Sequence, residues 1–215
     1  MSETLVIDVW SDVVCPFCYL GTRQLSSALE NFEFRDHVTL RHRAFELDAN
    51  APSDYGLSLN ELLAKKYGMS VERARGLNDR MEREAKNLGM EWSLNDARPT
   101  NTFDAHRLLA LGSTQGRDEI LSELLFHAYF SEGRLLSDRD TLRDIAQSAG
   151  LSDIDSAWSN DAFAQVVRSD ENTALELGIT GVPSLLVDEK FMIVGAQGSE
   201  HILDVLNRAW ARRAA

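Results

Sequence analysis

Asp12-Val13-Val14-Cys15-Pro16-Phe17-Cys18-Tyr19-Leu20-Gly21 holds both cysteines of a 215-residue chain, and the fold reads outward from it. The residues before it, Leu5 to Trp10, are apolar and β-branched and predict a short buried strand. Those after it place apolar side chains at Leu25, Ala28, Leu29 and Phe32, which is helical spacing. Cys15 therefore stands where a strand passes into a helix. Unpaired N–H groups and the dipole at a helix N-terminus favour negative charge, so a thiolate there is stabilised relative to the thiol. Pro16 suits the first helical position, which needs no N–H and accepts proline's fixed φ. The expectation is a lowered pKa for Cys15, with Cys18 one turn further in, facing the core as the less exposed thiol.

Two other uses of the pair are weighed against redox chemistry. Zinc would take the two cysteines as half of its ligand set, but His37, His42, His106, His127 and His201 are scattered without metal-ligand spacing, and no metal site is expected. A structural disulfide closing so small a loop removes little unfolded-chain entropy. Redox work is the reading that remains.

The chain is long enough to bury a real core, as one large domain or a domain carrying an insertion. With 34 acidic against 22 basic residues, the net charge is −12 and the pI near 4.8. That balance argues against a nucleic-acid or anionic-membrane surface and is read as solubility. No basic n-region or cleavable apolar segment opens the sequence, and nowhere are there ~20 consecutive apolar residues. A cytoplasmic setting is expected, where a retained CxxC is more often catalytic than architectural.

Within the first strand, Asp8 has two readings: a side chain on the solvent face, or a buried carboxylate relaying protons to the inner thiol. Asp12 reads as a turn or capping residue whose charge, if close in space, opposes the Cys15 thiolate. Val38 to Leu47 alternates as a second strand, with His42 as an ordinary strand side chain, and a break follows at Asp48 to Gly56 around Pro52. From Ser58 to about Gly178 the period is helical. Ser58 with Glu61 has capping-box spacing, as has Ser137 with Asp140. The stripes Ala74, Leu77, Met81, Leu88 and Leu121, Leu124, Leu125, Ala128 predict buried faces of packed helices. Pro183 to Val187 and Phe191 to Val194 then predict a hairpin, and Ser199 to Arg213 a last helix, acidic early and basic late as its dipole favours.

With Cys-Pro-Phe-Cys, the segments Arg41-His42-Arg43-Ala44-Phe45-Glu46-Leu47, Asn101-Thr102-Phe103-Asp104-Ala105-His106-Arg107, Tyr129-Phe130-Ser131-Glu132-Gly133, Gly178-Ile179-Thr180-Gly181-Val182-Pro183 and Gly195-Ala196-Gln197 resemble the thioredoxin-like proteins of the DsbA group, in its FrnE-like branch. The resemblance implies an α/β, thioredoxin-like fold with a large all-helical insertion domain. Residues 1–50 and 179–215 are then the two parts of the thioredoxin-like domain, and 51–178 the insertion. It also implies that Val182-Pro183 is the bond that is cis in the family, turning the Val182 backbone toward the dithiol. There an extended peptide or a glutathione segment can pair as an added strand does.

Kappa-class glutathione transferases and 2-hydroxychromene-2-carboxylate isomerases resemble the chain in layout but carry serine at the first active-site position, where this chain has Cys15. They also tend to have an Asp-Arg pair where Ala196-Gln197 stands. In DsbA itself the residue before the second cysteine is histidine; Phe17 here implies a milder couple. The expected activity is thiol–disulfide exchange by Cys15 and Cys18, with Val182 and Pro183 binding substrate. No cofactor is expected beyond the cysteine pair, and partners are protein or small-molecule thiols and disulfides, glutathione among them. The alternatives are a glutathione-dependent isomerase or transferase acting on a small aromatic or polyketide-like substrate, and, ranked last, a chaperone-like peptide binder.

Overall fold

The structure, a computed structural model, describes residues 4–213. In chain order the elements are β1 (Leu5–Ser11), α1 (Pro16–Glu30), a 3-10 turn at Arg35–His37, β2 (Val38–Ala44), α2 (Leu59–Tyr67), α3 (Val71–Asn87), α4 (Phe103–Thr114), α5 (Asp118–Phe130), α6 (Arg139–Ser148), α7 (Ser156–Ser159), α8 (Asp161–Glu176), β3 (Ser184–Val187), β4 (Phe191–Val194) and α9 (Ser199–Arg213). The chain divides into two compact units, one formed by the residues up to Leu47 and from Val167 onward, the other by Asp48–Val166. Among the described residues no helix is long and apolar enough to cross a membrane.

The first unit is built on a four-stranded sheet in the order β2-β1-β3-β4. β1 and β2 run parallel, Leu5 opposite Val38 and Ser11 opposite Ala44, with α1 as the crossover. β3 lies antiparallel to β1, Ile7 opposite Val187, and turns back into β4. Leu5, Ile7, Val9, Leu185 and Val187 point to one face and bury Leu25, Ala28 and Phe32 around α1 and Ile202, Val205, Leu206 and Ala209 of α9. This is the period of two of a strand meeting the 3.6 of a helix. The opposite face carries Trp10 with Ala174, Ile179 and the partly buried Phe45, Val182 and Leu186.

Asp8 also points to that second face. It is 6% exposed and accepts a hydrogen bond from Arg43 Nε at 2.7 Å, while Arg43 Nη1 reaches Asp170 Oδ1 at 2.9 Å. The Trp10 indole N–H donates to the Asp170 carbonyl at 3.0 Å. These bonds explain why residues from 167 onward group with the sheet, whereas the sequence places the boundary at 178.

β2 is shorter than its alternation predicts. From its last residue onward, backbone N–H groups are taken by carboxylates: Ala44 by Asp170 at 3.1 Å, Glu46 by Glu171 at 3.4 Å and Leu47 by Asp12 at 2.8 Å.

In the second unit the Ser58–Glu61 capping box forms at α2. At α6 the cap is Asp138, which accepts from Asp140 and Thr141 N–H, while Ser137 donates to the Ser53 carbonyl instead. Leu121, Leu125 and Ala128 are buried as the periodicity predicts. The α3 stripe is not: Ala74 is buried, but Leu77 and Leu88 are 36% and 52% exposed. Among the described residues the buried side chains of this highly charged helix are Ala74, Asn78 and Ala85, a narrow seam on which Asn78 donates to Asn60 at 2.8 Å.

Candidate active site

The loop after β1 delivers Cys15 to the N-cap of α1 in extended backbone, φ −93° and ψ 115°, with Pro16 opening the helix. The Cys15 N–H donates to the Asp12 carbonyl at 3.0 Å, and its own carbonyl accepts from Cys18 and Tyr19 N–H at 3.0 and 3.3 Å. Both cysteines are free thiols. They are 4% and 1% exposed, Cys18 the less so, while Phe17 between them is 51% exposed.

The thiols are driven apart in acidity. Cys15 is held below the usual thiol range, first because the Cys18 side chain hydrogen-bonds to its sulfur; burial works against this, the Cys18 N–H assists, the charge of Asp12 opposes, and the Phe17 N–H assists. Backbone donors at the helix start thus contribute as anticipated, but behind the neighbouring thiol. Cys18 is pushed well up by burial, then by the hydrogen bond and charge of Cys15, against smaller stabilisation from the Asp12 backbone and the Ser11 side chain. The arrangement favours the thiolate on Cys15 and the protonated thiol on Cys18.

Val182 and Pro183 lie beside this pair. The Cys15 thiol donates a long hydrogen bond, 3.7 Å, to the Val182 carbonyl, and the Val182–Pro183 peptide bond is cis. On α1, a Cβ at Gly21 would lie 3.0 Å from Pro183 Cγ, so the missing side chain lets the dithiol helix touch the proline ring. Cys15, Cys18, Val182 and Pro183 are therefore brought together. Asp8 is buried, which excludes the solvent-face reading, and its carboxylate is engaged by Arg43 on the sheet face opposite α1. Among the described residues no three His, Cys, Asp or Glu side chains gather as metal ligands.

Three contributors escaped the sequence reading: the Ser11 hydroxyl toward Cys18, the Gly21 contact with Pro183, and the bond from Leu47 N–H to Asp12. Gly21 carried a usable signal, since a glycine inside a helical pattern often marks close packing.

The sequence model of the family described as DSBA-like thioredoxin domain matches residues 6–207. A solved structure described as a probable DsbA oxidoreductase from Streptomyces coelicolor is 35% identical, with a TM-score of 0.91 over 96% of this chain and 90% of its own. The Bacillus subtilis (strain 168) protein YwbO, itself uncharacterized, is 26% identical over 92% of this chain and 93% of its own. A 2-hydroxychromene-2-carboxylate isomerase structure, 17% identical, superposes with a TM-score of 0.65 over 97% of this chain and 98% of its own, a likeness of fold alone.

Proposed function

This chain belongs to the DSBA-like thioredoxin domain family, and from that premise we propose that it is a thiol–disulfide oxidoreductase working through the Cys15–Cys18 dithiol. The observation that carries the reading is the geometry of two free thiols at one helix N-terminus, Cys15 at the N-cap with its sulfur against the Val182 carbonyl and Cys18 one turn in; the lowered Cys15 pKa and raised Cys18 pKa accord with it. The Cys15 thiolate attacks one sulfur of a substrate disulfide; the new S–S bond forms as the old one breaks, and its electron pair leaves on the substrate thiolate. Cys18 then gives up its proton and attacks the Cys15 sulfur, releasing the second substrate thiolate. Two electrons have passed to the substrate and the protein holds a disulfide; the reverse sequence oxidises a substrate dithiol.

Val182 and Pro183 are proposed to bind substrate, the Val182 backbone pairing with an extended peptide or glutathione segment beside the sulfur. The 3.7 Å approach of the Val182 carbonyl to Cys15 supports this. Proteins and small thiols or disulfides, glutathione included, are the proposed partners, in a cytoplasmic setting. We place the chain in the FrnE-like branch on the segments quoted above.

The test is a pair of variants assayed with a disulfide substrate. Cys15→Ser abolishes turnover, and Cys18→Ser accumulates a trapped mixed disulfide. Full activity of either rules the scheme out. A requirement for added glutathione together with an active Cys18→Ser protein would instead favour a glutathione-dependent isomerase or transferase.

A further inference from the structure

Asp12 lies three residues before the nucleophile with 1% of its surface exposed. Its Oδ2 accepts the Leu47 N–H at 2.8 Å and its Oδ1 a longer bond of 3.5 Å from the Val14 N–H, while its carbonyl accepts from Cys15 at 3.0 Å. One residue thus ties the loop bearing the dithiol to the backbone just past β2. A neutral oxygen could accept the same bonds. A carboxylate adds a negative charge whose field opposes ionisation of the Cys15 sulfur.

We propose that Asp12 is a positioning residue that sets the redox poise of the Cys15–Cys18 couple, anchoring the loop through Leu47 while its charge biases the couple toward the disulfide. This rests on the dithiol reading above and adds what tunes it. The groups facing the Cys15 sulfur come from three elements. From α1, the Cys18 thiol and the Phe17 and Cys18 N–H groups favour the thiolate; from the loop before β3 the Val182 carbonyl accepts from the neutral thiol; and from the β1–α1 loop Asp12 opposes the charged form. Reduction by glutathione consumes two glutathione thiols and yields the dithiol and one glutathione disulfide, with two electrons transferred. Only the reduced side bears a thiolate, so the carboxylate destabilises that side alone.

The experiment compares wild type with Asp12→Asn, each also in a Cys18→Ser background. The asparagine oxygen can keep the Leu47 bond, leaving the amide toward the weaker Val14 contact. Cys15 ionisation is followed by ultraviolet thiolate absorbance, and the dithiol fraction by equilibration in glutathione buffers. In Asp12→Asn the Cys15 midpoint falls, with Cys18 present or absent. The dithiol-to-disulfide ratio at a given glutathione poise rises severalfold; a tenfold change corresponds to ~30 mV. The gap closes as pH drops below both Cys15 midpoints, because a neutral thiol does not feel the charge. An unchanged or raised midpoint, or a loss of melting temperature with no change in titration, overturns the proposal. Asp12→Ser, a second neutral acceptor, carries the same comparison if the asparagine variant folds poorly. Neither readout needs substrate turnover, so failure of the dithiol scheme and failure of this inference register separately.

Discussion

One face of the sheet is apolar from Leu5 to Val187 and buries the matching stripes of α1 and α9; the other holds Trp10 beside a charged trio, Asp8, Arg43 and Asp170. The same strands present both. The apolar face carries the helix on which Cys15 and Cys18 sit, and its area removed from water supplies most of what holds that helix in place. The charged face ties the returning chain at α8 to β1 and β2 through bonds of fixed direction. Packing on the first face can shift without breaking any one bond, whereas on the second Arg43 must reach both carboxylates at once and Asp170 also holds the Ala44 N–H. The difference assigns the dithiol's support to one face and the closure of the unit to the other.

The largest effect expected from breaking this division is on the apolar face. Phe32 is 2% exposed, and its ring stands edge-on to Phe34 and Trp210 at 5.8 and 6.2 Å. Phe32→Ala leaves a cavity and costs about 3–5 kcal/mol, measured by denaturant unfolding. Because α1 loses part of its seat, amide exchange in α1 after Pro16 quickens in the folded protein. Unchanged exchange in α1 would mean that the dithiol helix is held from elsewhere.

On the charged face the effect is smaller. Arg43→Met leaves the Asp8 and Asp170 side chains, 9% and 7% exposed, without their shared cation. Breaking such a buried pair costs about 3 kcal/mol or somewhat more, moderated here because the Arg43 side chain is 33% open to water. The Cys15 titration stays where it is, since the trio lies on the opposite side of the sheet. A Cys15 midpoint that moved with Arg43 would erase the distinction between the faces. Replacing the charges together, with Asp8→Val, Arg43→Met and Asp170→Asn, whose amide oxygen still accepts the Ala44 N–H, recovers most of the lost stability if the charges serve closure rather than strength.

The two faces were unequally legible in the sequence. Alternation in Leu5–Trp10 and the 3.6-residue period after Cys18 sufficed for the apolar face, because burial of a stripe is a local pattern repeated along each element. The charged face depends on partners 35 and 127 residues from Arg43, and no local pattern links Asp8 to Arg43 or Asp170. Asp8 was accordingly read as a solvent residue or a proton relay. The site shows the same split. Cys15, Pro16 and Cys18 declare a helix start by their own spacing, whereas the anchoring of Asp12 by Leu47 is a contact across 35 residues that turn chemistry alone does not reveal.

The smallest effect calibrates the others, because it touches neither face. The β3–β4 turn runs through Asp188 and Glu189 with φ of 52° and 55°, in the left-handed region that glycine enters without a Cβ penalty. Asp188 has reasons to remain: its N–H donates to the Val6 carbonyl at 2.8 Å, and its carboxylate meets Lys190 at 3.0 Å and Arg213 at 3.3 Å. Glu189 is exposed. Glu189→Gly relieves the conformational cost and returns part of it through the greater backbone entropy of the unfolded chain, for a net gain of at most ~1 kcal/mol. The gain appears in unfolding free energy with α1 exchange and the Cys15 titration both unmoved. A stabilised hairpin that also shifted the titration would show that the sheet transmits strain to the dithiol whatever face is altered, and the contrast between Phe32 and Arg43 would then lose its meaning.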